Sequence, residues 1–224
     1  MAPIELVDYY DEFTAYYPDC ELQTKQWFVD NIKDDWRILD CGANIGYYSI
    51  LFSRLAPNGK IWAFEPTETV EKLKNNLDHN NITNVEIITT ALSDKNGKFR
   101  DKIYYLWGFE PLDREFFFTT IDRFVKENNI SRLDCIKIDV DSYDFSVLRG
   151  ARDTILEFNP YIMIELNHAL SLRNEAPTQA LQWMAELGYE HARIFDDENF
   201  LFKRGVENSR SLQISIIFPA NRET

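Results

Sequence analysis

The sequence predicts one doubly wound α/β domain, a mostly parallel sheet with helices on both faces, and three observations support this. Short apolar runs alternate with amphipathic segments along the chain, as such a sheet requires. The 224 residues suffice for one domain with a real core. No repeat, low-complexity tract or linker divides them, so a single domain is expected over 1–224.

In chain order, an N-terminal helical cap over about 1–34 holds a helix at 24–32. Strands follow at 37–41, 60–65, 85–89, 134–140 and 161–166, each an apolar run leading into a helix or a crossover. The helices read at 47–55, 69–80, 120–128, 145–158 and 177–187. Two last strands, 191–195 and 212–218, have no helical pattern between them, which predicts a meander with an antiparallel strand at the sheet edge. That makes seven strands.

Residues 96–115 match neither period cleanly and mix aromatics with charge. They read as an insertion or lid near the substrate, over about 96–118, since long loops in compact domains are often functional. The alternative is a β-hairpin packed on the sheet edge. Tyr104, Tyr105, Trp107, Phe109 and the phenylalanines at 116–118 suggest an apolar or ring-bearing substrate.

The charge narrows the partners. With 37 acidic against 24 basic residues, the net charge of -13 and the lack of any Lys/Arg run argue against nucleic acid. Cys20, Cys41 and Cys135 show no metal or disulfide spacing, and the last two sit in apolar runs where cysteine packs as a small hydrophobe. The acidic N-terminus is unlike a signal peptide, and no apolar stretch reaches membrane-spanning length. A cytoplasmic protein without membrane contact is expected. Oligomeric state leaves no trace.

The strongest local pattern is Ile38-Leu39-Asp40-Cys41-Gly42-Ala43-Asn44-Ile45-Gly46. An apolar strand ends at Asp40, a turn punctuated by Gly42 and Gly46 follows, and a helix opens. Glycines there let backbone approach a ligand, and the free N–H groups of a helix start favour an anion. A dinucleotide site would place glycine where Asn44 stands. Asp40 instead sits where it can take a cationic amine or fix the loop. Glu65 and Pro66 close the neighbouring strand, where an acid can accept both ribose hydroxyls. Two acids flanking a glycine turn point to a nucleoside bearing an amino-acid tail. Ala91, Leu92 and Ser93 border the same crevice and suit an adenine face, although Ser-Asp is also an ordinary loop signal.

These residues resemble the FkbM-type methyltransferases. The first motif runs Asp40-Cys41-Gly42-Ala43-Asn44-Ile45-Gly46-Tyr47-Tyr48-Ser49, and Ala63-Phe64-Glu65-Pro66 with Asn75 and Asn76 resembles the second. Ala91-Leu92-Ser93-Asp94, Thr119-Thr120-Ile121-Asp122 and Ile136-Lys137-Ile138-Asp139-Val140-Asp141 are similar to later ones. The resemblance implies a class I methyltransferase fold, S-adenosylmethionine as cofactor, and O-methylation of a sugar or natural-product hydroxyl. The chain departs from the family at Asp141-Ser142-Tyr143-Asp144, where members tend to read Glu-Gly-x-Glu.

The reacting end is expected where strands four and five finish, at Asp139 and Glu165. Two mechanisms fit: His168 as general base, or Mg²⁺ held by Asp139, Asp141 and Glu165 to acidify a coordinated hydroxyl. Asp141 and Asp144 could equally cap the next helix, and His168 could be a loop residue. His79 and His191 carry no hypothesis. Other readings are an N-methyltransferase, a protein side-chain methyltransferase, or a non-catalytic adenosylmethionine-binding module.

Overall fold

The computed structural model describes residues 3–11, 13, 19–104 and 110–205, and the backbone of 214–215. Helix α1 (Leu22–Asn31) leads into β1 (Arg37–Cys41), α2 (Tyr47–Leu55), β2 (Lys60–Phe64), α3 (Val70–His79) and β3 (Val85–Ile88). Short β4 (Ala91–Leu92) precedes β5 (Gly97–Ile103), β6 (Leu112–Thr119), α4 (Ile121–Glu127) and β7 (Cys135–Ile138). Then come α5 (Asp144–Arg149), α6 (Arg152–Phe158), β8 (Tyr161–Glu165), a 3₁₀ turn (His168–Arg173) and α7 (Pro177–Glu186). Strands β9 (His191–Phe195), β10 (Asn199–Phe202) and β11 (Ile214–Ser215) finish the described chain.

The main sheet runs β11-β9-β10-β8-β7-β1-β2-β3. From β8 to β3 all pairs are parallel, whereas β10, β9 and β11 pair antiparallel at the other edge. From β1 the chain winds outward through β2 and β3, then returns to β7 on the opposite side. The order therefore reverses between β1 and β7, and a ligand crevice opens at their carboxyl ends.

Side chains alternate across the pleat, giving each sheet face its own core. Leu39, Ile136, Ile138, Ile162 and Ile164 pack with Phe124, Leu148, Ile155 and Met184 of α4–α7. Ile38, Cys135 and Met163 face the other way, against Trp27, Phe28, Tyr48 and Phe52 of α1 and α2. Burying such side chains contributes roughly 1.5–3 kcal/mol each. Cys41 and Cys135 are buried and unbridged, as apolar packing anticipates.

The fold class is as expected: seven strands of four residues or more, with two-residue β11 as an eighth. Their identities differ at the antiparallel edge. β10 was not anticipated and sits between β8 and β9. Its turn uses Asp196 and Asp197, both left-handed (φ 48° and 68°), without the glycine that usually signals it. The Asp196 carboxylate also accepts hydrogen bonds from Gln23 N and Thr24 N at 3.2 and 2.9 Å, capping α1. Most of the expected strand at 212–218 lies outside the described residues.

Three further expectations need correction. The helix expected at 145–158 breaks into α5 and α6 at Gly150, where a Cβ would fall 2.2 Å from the Ser93 carbonyl oxygen. Residues 3–11 are not helical; they run along α3, with Val7 N and Asp8 N donating to Asn76 Oδ1. The aromatic stretch is the hairpin of one reading, β5 against β6, but it joins β4 in a separate three-stranded sheet rather than the main sheet's edge. Phe116 and Phe118 turn inward while Phe117 is 64% exposed. Tyr105, Trp107 and Phe109 lie outside the described residues.

Candidate active site

At the switch point the turn from Gly42 to Gly46 carries three left-handed residues, Gly42 (φ 87°), Asn44 (φ 49°) and Gly46 (φ 95°). Both glycines are required by the protein's own packing. A Cβ on Gly42 would meet the Asp139 carbonyl oxygen at 1.7 Å, and one on Gly46 would meet Leu73 Cδ1 at 2.6 Å. The loop is thus pressed between the end of β7 and α3. Asn76 holds it there, donating from Nδ2 to the Ile45 carbonyl at 2.8 Å.

One cleft of about 850 Å³, counting space open to solvent, collects Gly42, Ala43, Asn44, Glu65, Pro66, Ala91, Leu92, Asp139 and Asp141 on its walls. Glu65 is buried and fixed by Asn44 N at 3.1 Å and Thr67 N at 2.9 Å. Burial raises its carboxyl above the ordinary range, against the pull of the Thr67 and Asn44 hydrogen bonds. Thr90, Ala91 and Leu92 form the adjoining small, apolar edge.

Three expected cofactor residues stand behind the lining. Asp40 is wholly buried; its Oδ2 takes the Ser49 hydroxyl at 2.5 Å, and its Oδ1 has no partner. Ser93 is buried and accepts from Lys95 N at 3.1 Å, so its hydroxyl closes a turn. Gly46 begins α2 without reaching the cleft.

Asp139 follows β7, continues its pairing through a bond from its N–H to the Cys41 carbonyl, and lines the cleft. Its Oδ2 accepts from Lys137 Nζ at 2.7 Å. Asp141 and Ser142 come next, both left-handed (φ 47° and 76°), a strained pair of the kind found at functional sites. Burial, then Asp139, then Glu65 push the Asp141 carboxyl up to about 7. Asp144 accepts from Val140 N at 2.9 Å and is pushed up to about 8, chiefly by burial. Glu165, behind them, rises to about 10 through burial and the charges of Asp139, Asp144 and Asp141.

Asp139, Asp141 and Glu165 do not form the expected metal site. Among the described residues no group of three or more His, Cys, Asp or Glu is arranged to hold an ion. Asp139 is engaged by an ammonium instead. His168, the other candidate for the chemistry, is exposed on the 3₁₀ turn and off the cleft wall.

The hairpin supplies the opposite wall with Ile103, Tyr104 and Phe118, joined by Tyr143. Asp101 on β5 ties this wall to the reacting strand. It accepts from the Tyr143 hydroxyl and from Arg173 Nη1 at 2.7 Å, and Arg173 lies 3.9 Å from the Tyr143 ring centre. Burial opposes the charge on Asp101, but these hydrogen bonds prevail and hold its carboxyl well below the usual range. Sequence reasoning gave no site role to Tyr143, Tyr47, Tyr48, Thr67 or Lys137. Only Lys137 carried a signal, as a charge inside an apolar strand.

No helix among the described residues is long and apolar enough to cross a membrane. The chain is 24% identical to Methyltransferase 1 of Beauveria bassiana over 74% of its own length and 83% of that protein's. It is 24% identical to the hexuronic acid methyltransferase AglP of Haloferax volcanii, with 79% of this chain and 73% of that one covered. Among solved structures it resembles methyltransferase FkbM from Methylobacillus flagellatus, with a TM-score of 0.57 at 18% identity. That likeness covers 77% of this chain but 44% of that one, so the chain spans under half of that protein's length. SMU.1697c of Streptococcus mutans, solved in complex with SAH, matches with a TM-score of 0.52 at 13% identity over 80% and 93% of the two chains. The model of the methyltransferase FkbM domain matches residues 40–191, well over half of the sequence, and the chain accordingly belongs to the FkbM methyltransferase family, whose cofactor is S-adenosylmethionine.

Proposed function

We propose that this enzyme methylates a hydroxyl of a small molecule, a sugar or a natural product, in one cleft shared by cofactor and acceptor. The supporting observation is the division of the cleft: Gly42, Ala43, Asn44, Glu65 and Asp139 on one side, and the apolar ring wall of Ile103, Tyr104, Phe118 and Tyr143 on the other. The first set fits an adenosyl amino acid. Glu65 would take the ribose hydroxyls, Ala91 and Leu92 the adenine face, and the loop the tail. One buried acceptor on this wall, Asn44 Oδ1, has no partner within the protein, which suits a ligand rich in N–H donors.

Aromatic rings pack well on the C–H faces of a sugar, and the relative named as a hexuronic acid methyltransferase favours that acceptor class. S-adenosylmethionine supplies an electrophilic methyl on a sulfonium. The protein must align the acceptor oxygen and receive its proton. Asp141 lines the cleft and titrates near neutrality, so it can receive the proton at a carboxylate oxygen. His168 stands too far aside for that role in this arrangement.

Isothermal titration with S-adenosylmethionine, S-adenosylhomocysteine and NAD tests the cofactor side: the first two should bind and NAD should not. Incubation with uronic acids, neutral sugars and phenolic acceptors, read by mass spectrometry, tests the acceptor. Methylation confined to amines or to protein side chains would overturn the hydroxyl reading.

A further inference from the structure

Lys137 is the lone Lys or Arg among the described residues that line the cleft, facing three acids, Glu65, Asp139 and Asp141. Its side chain is 2% exposed and leaves β7 on the face of α2. Its Nζ lies 4.5 Å from the Tyr48 ring centre, in the corner where Tyr47 and Tyr48 open α2. A charge so buried needs partners. Burial disfavours it, yet Asp139, Asp40 and Glu21 outweigh that and keep the ammonium charged well above the usual range. Asp139 Oδ2 takes one of its three N–H donors at 2.7 Å.

The cofactor's charges mirror this set. It brings two cations, a sulfonium and an ammonium, and one anion, its carboxylate. The wall offers several acids and one fixed cation, which stands where the helix dipole of α2 also favours negative charge. We propose that Lys137 holds the carboxylate of the cofactor's amino-acid tail, using N–H donors left over by Asp139. The inference rests on the S-adenosylmethionine reading and adds a residue to it. Glu65 then anchors the ribose end and Lys137 the tail end, which fixes how far the sulfonium reaches toward Asp141.

Titration calorimetry with S-adenosylmethionine and its decarboxylated analogue, which lacks only the carboxylate, tests this directly. The wild type should bind the complete cofactor at least about tenfold more tightly, the worth of a charge-assisted hydrogen bond. In Lys137→Gln that gap should close. A gap that persists in the variant, or is missing from the wild type, overturns the assignment. If the wild type binds neither ligand, the cofactor reading itself fails, a result distinct from equal binding of both. Should Lys137→Gln fail to fold because Asp139 is left unpaired, Lys137→Gln combined with Asp139→Asn removes both charges, and the gap must close there too.

Discussion

A Cβ built on Gly42 falls 1.7 Å from the carbonyl oxygen of Asp139. The first turn of the domain and the end of its central strand therefore touch backbone to backbone, and residue 42 also needs a left-handed φ of 87°. Gly42→Ala should cost about 4 kcal/mol or more, as severe steric strain does. For a chain of this size that lowers Tm by roughly 8–16 °C. Gly205 provides the control: it shares the left-handed φ but has nothing within 4 Å. Gly205→Ala should cost only about 1 kcal/mol. Equal melting losses in the two variants would show that the contact with Asp139 carries no weight.

Asp101, Tyr143 and Arg173 join three separate segments, so loosening them should move the acceptor wall and leave the cofactor wall in place. Tyr143→Phe removes one hydroxyl donor and should raise the acceptor KM about fivefold, corresponding to roughly 1 kcal/mol. Arg173→Ala also loses its bonds to Asp101 and the Lys102 carbonyl and should do more. Calorimetric affinity for S-adenosylhomocysteine should stay near wild type in both. A matching loss there would place the latch in general folding rather than in acceptor positioning.

The sequence exposed the half of the cleft proposed for the cofactor better than the half proposed for the acceptor. Gly42, Asn44, Glu65 and Ala91 could be located because strand ends and forced backbone shapes leave short signatures. The packing demand on the glycines was not visible there, since Leu73 and the Asp139 backbone are distant in sequence. Ser93 and His168 have suitable chemistry but are turned to a loop amide and to the surface, which no local pattern encodes. The hairpin was one of two readings left open, because charged residues such as Lys98 and Arg100 share β5 with Phe99, and their cross-strand partners Glu115 and Asp113 are supplied by β6. Its apolar face then covers a ligand cleft rather than a uniform core.

Asp141 as proton acceptor gives a signed pH dependence. The group must be ionised to work, so kcat/KM should rise through pH of about 7 and then level off. Asp141→Asn should abolish that limb and slow turnover by roughly 10²–10⁴-fold. His168→Ala should keep both the rate and the limb. A limb retained in Asp141→Asn and lost in His168→Ala would reassign the base.

Asp144 links the same acids to stability. Its carboxyl is pushed up to about 8 in the folded chain, first by burial, whereas an unfolded Asp titrates near ~4. The folded state therefore holds the proton more tightly. Its contribution is complete below pH ~4 and is lost as pH rises through about 8. Asp141, at about 7, and Glu165, at about 10, act with the same sign. Melting temperatures of the wild type should thus fall between pH 5 and 8.5. Asp144→Asn keeps an oxygen to accept the Val140 N–H but has no charge to bury. It should melt lower than wild type near pH 5 if the protonated acid packs better, and its slope toward high pH should be shallower. Parallel slopes in the two proteins would mean that Asp144 does not ionise in this range and that the pH dependence arises from its neighbours.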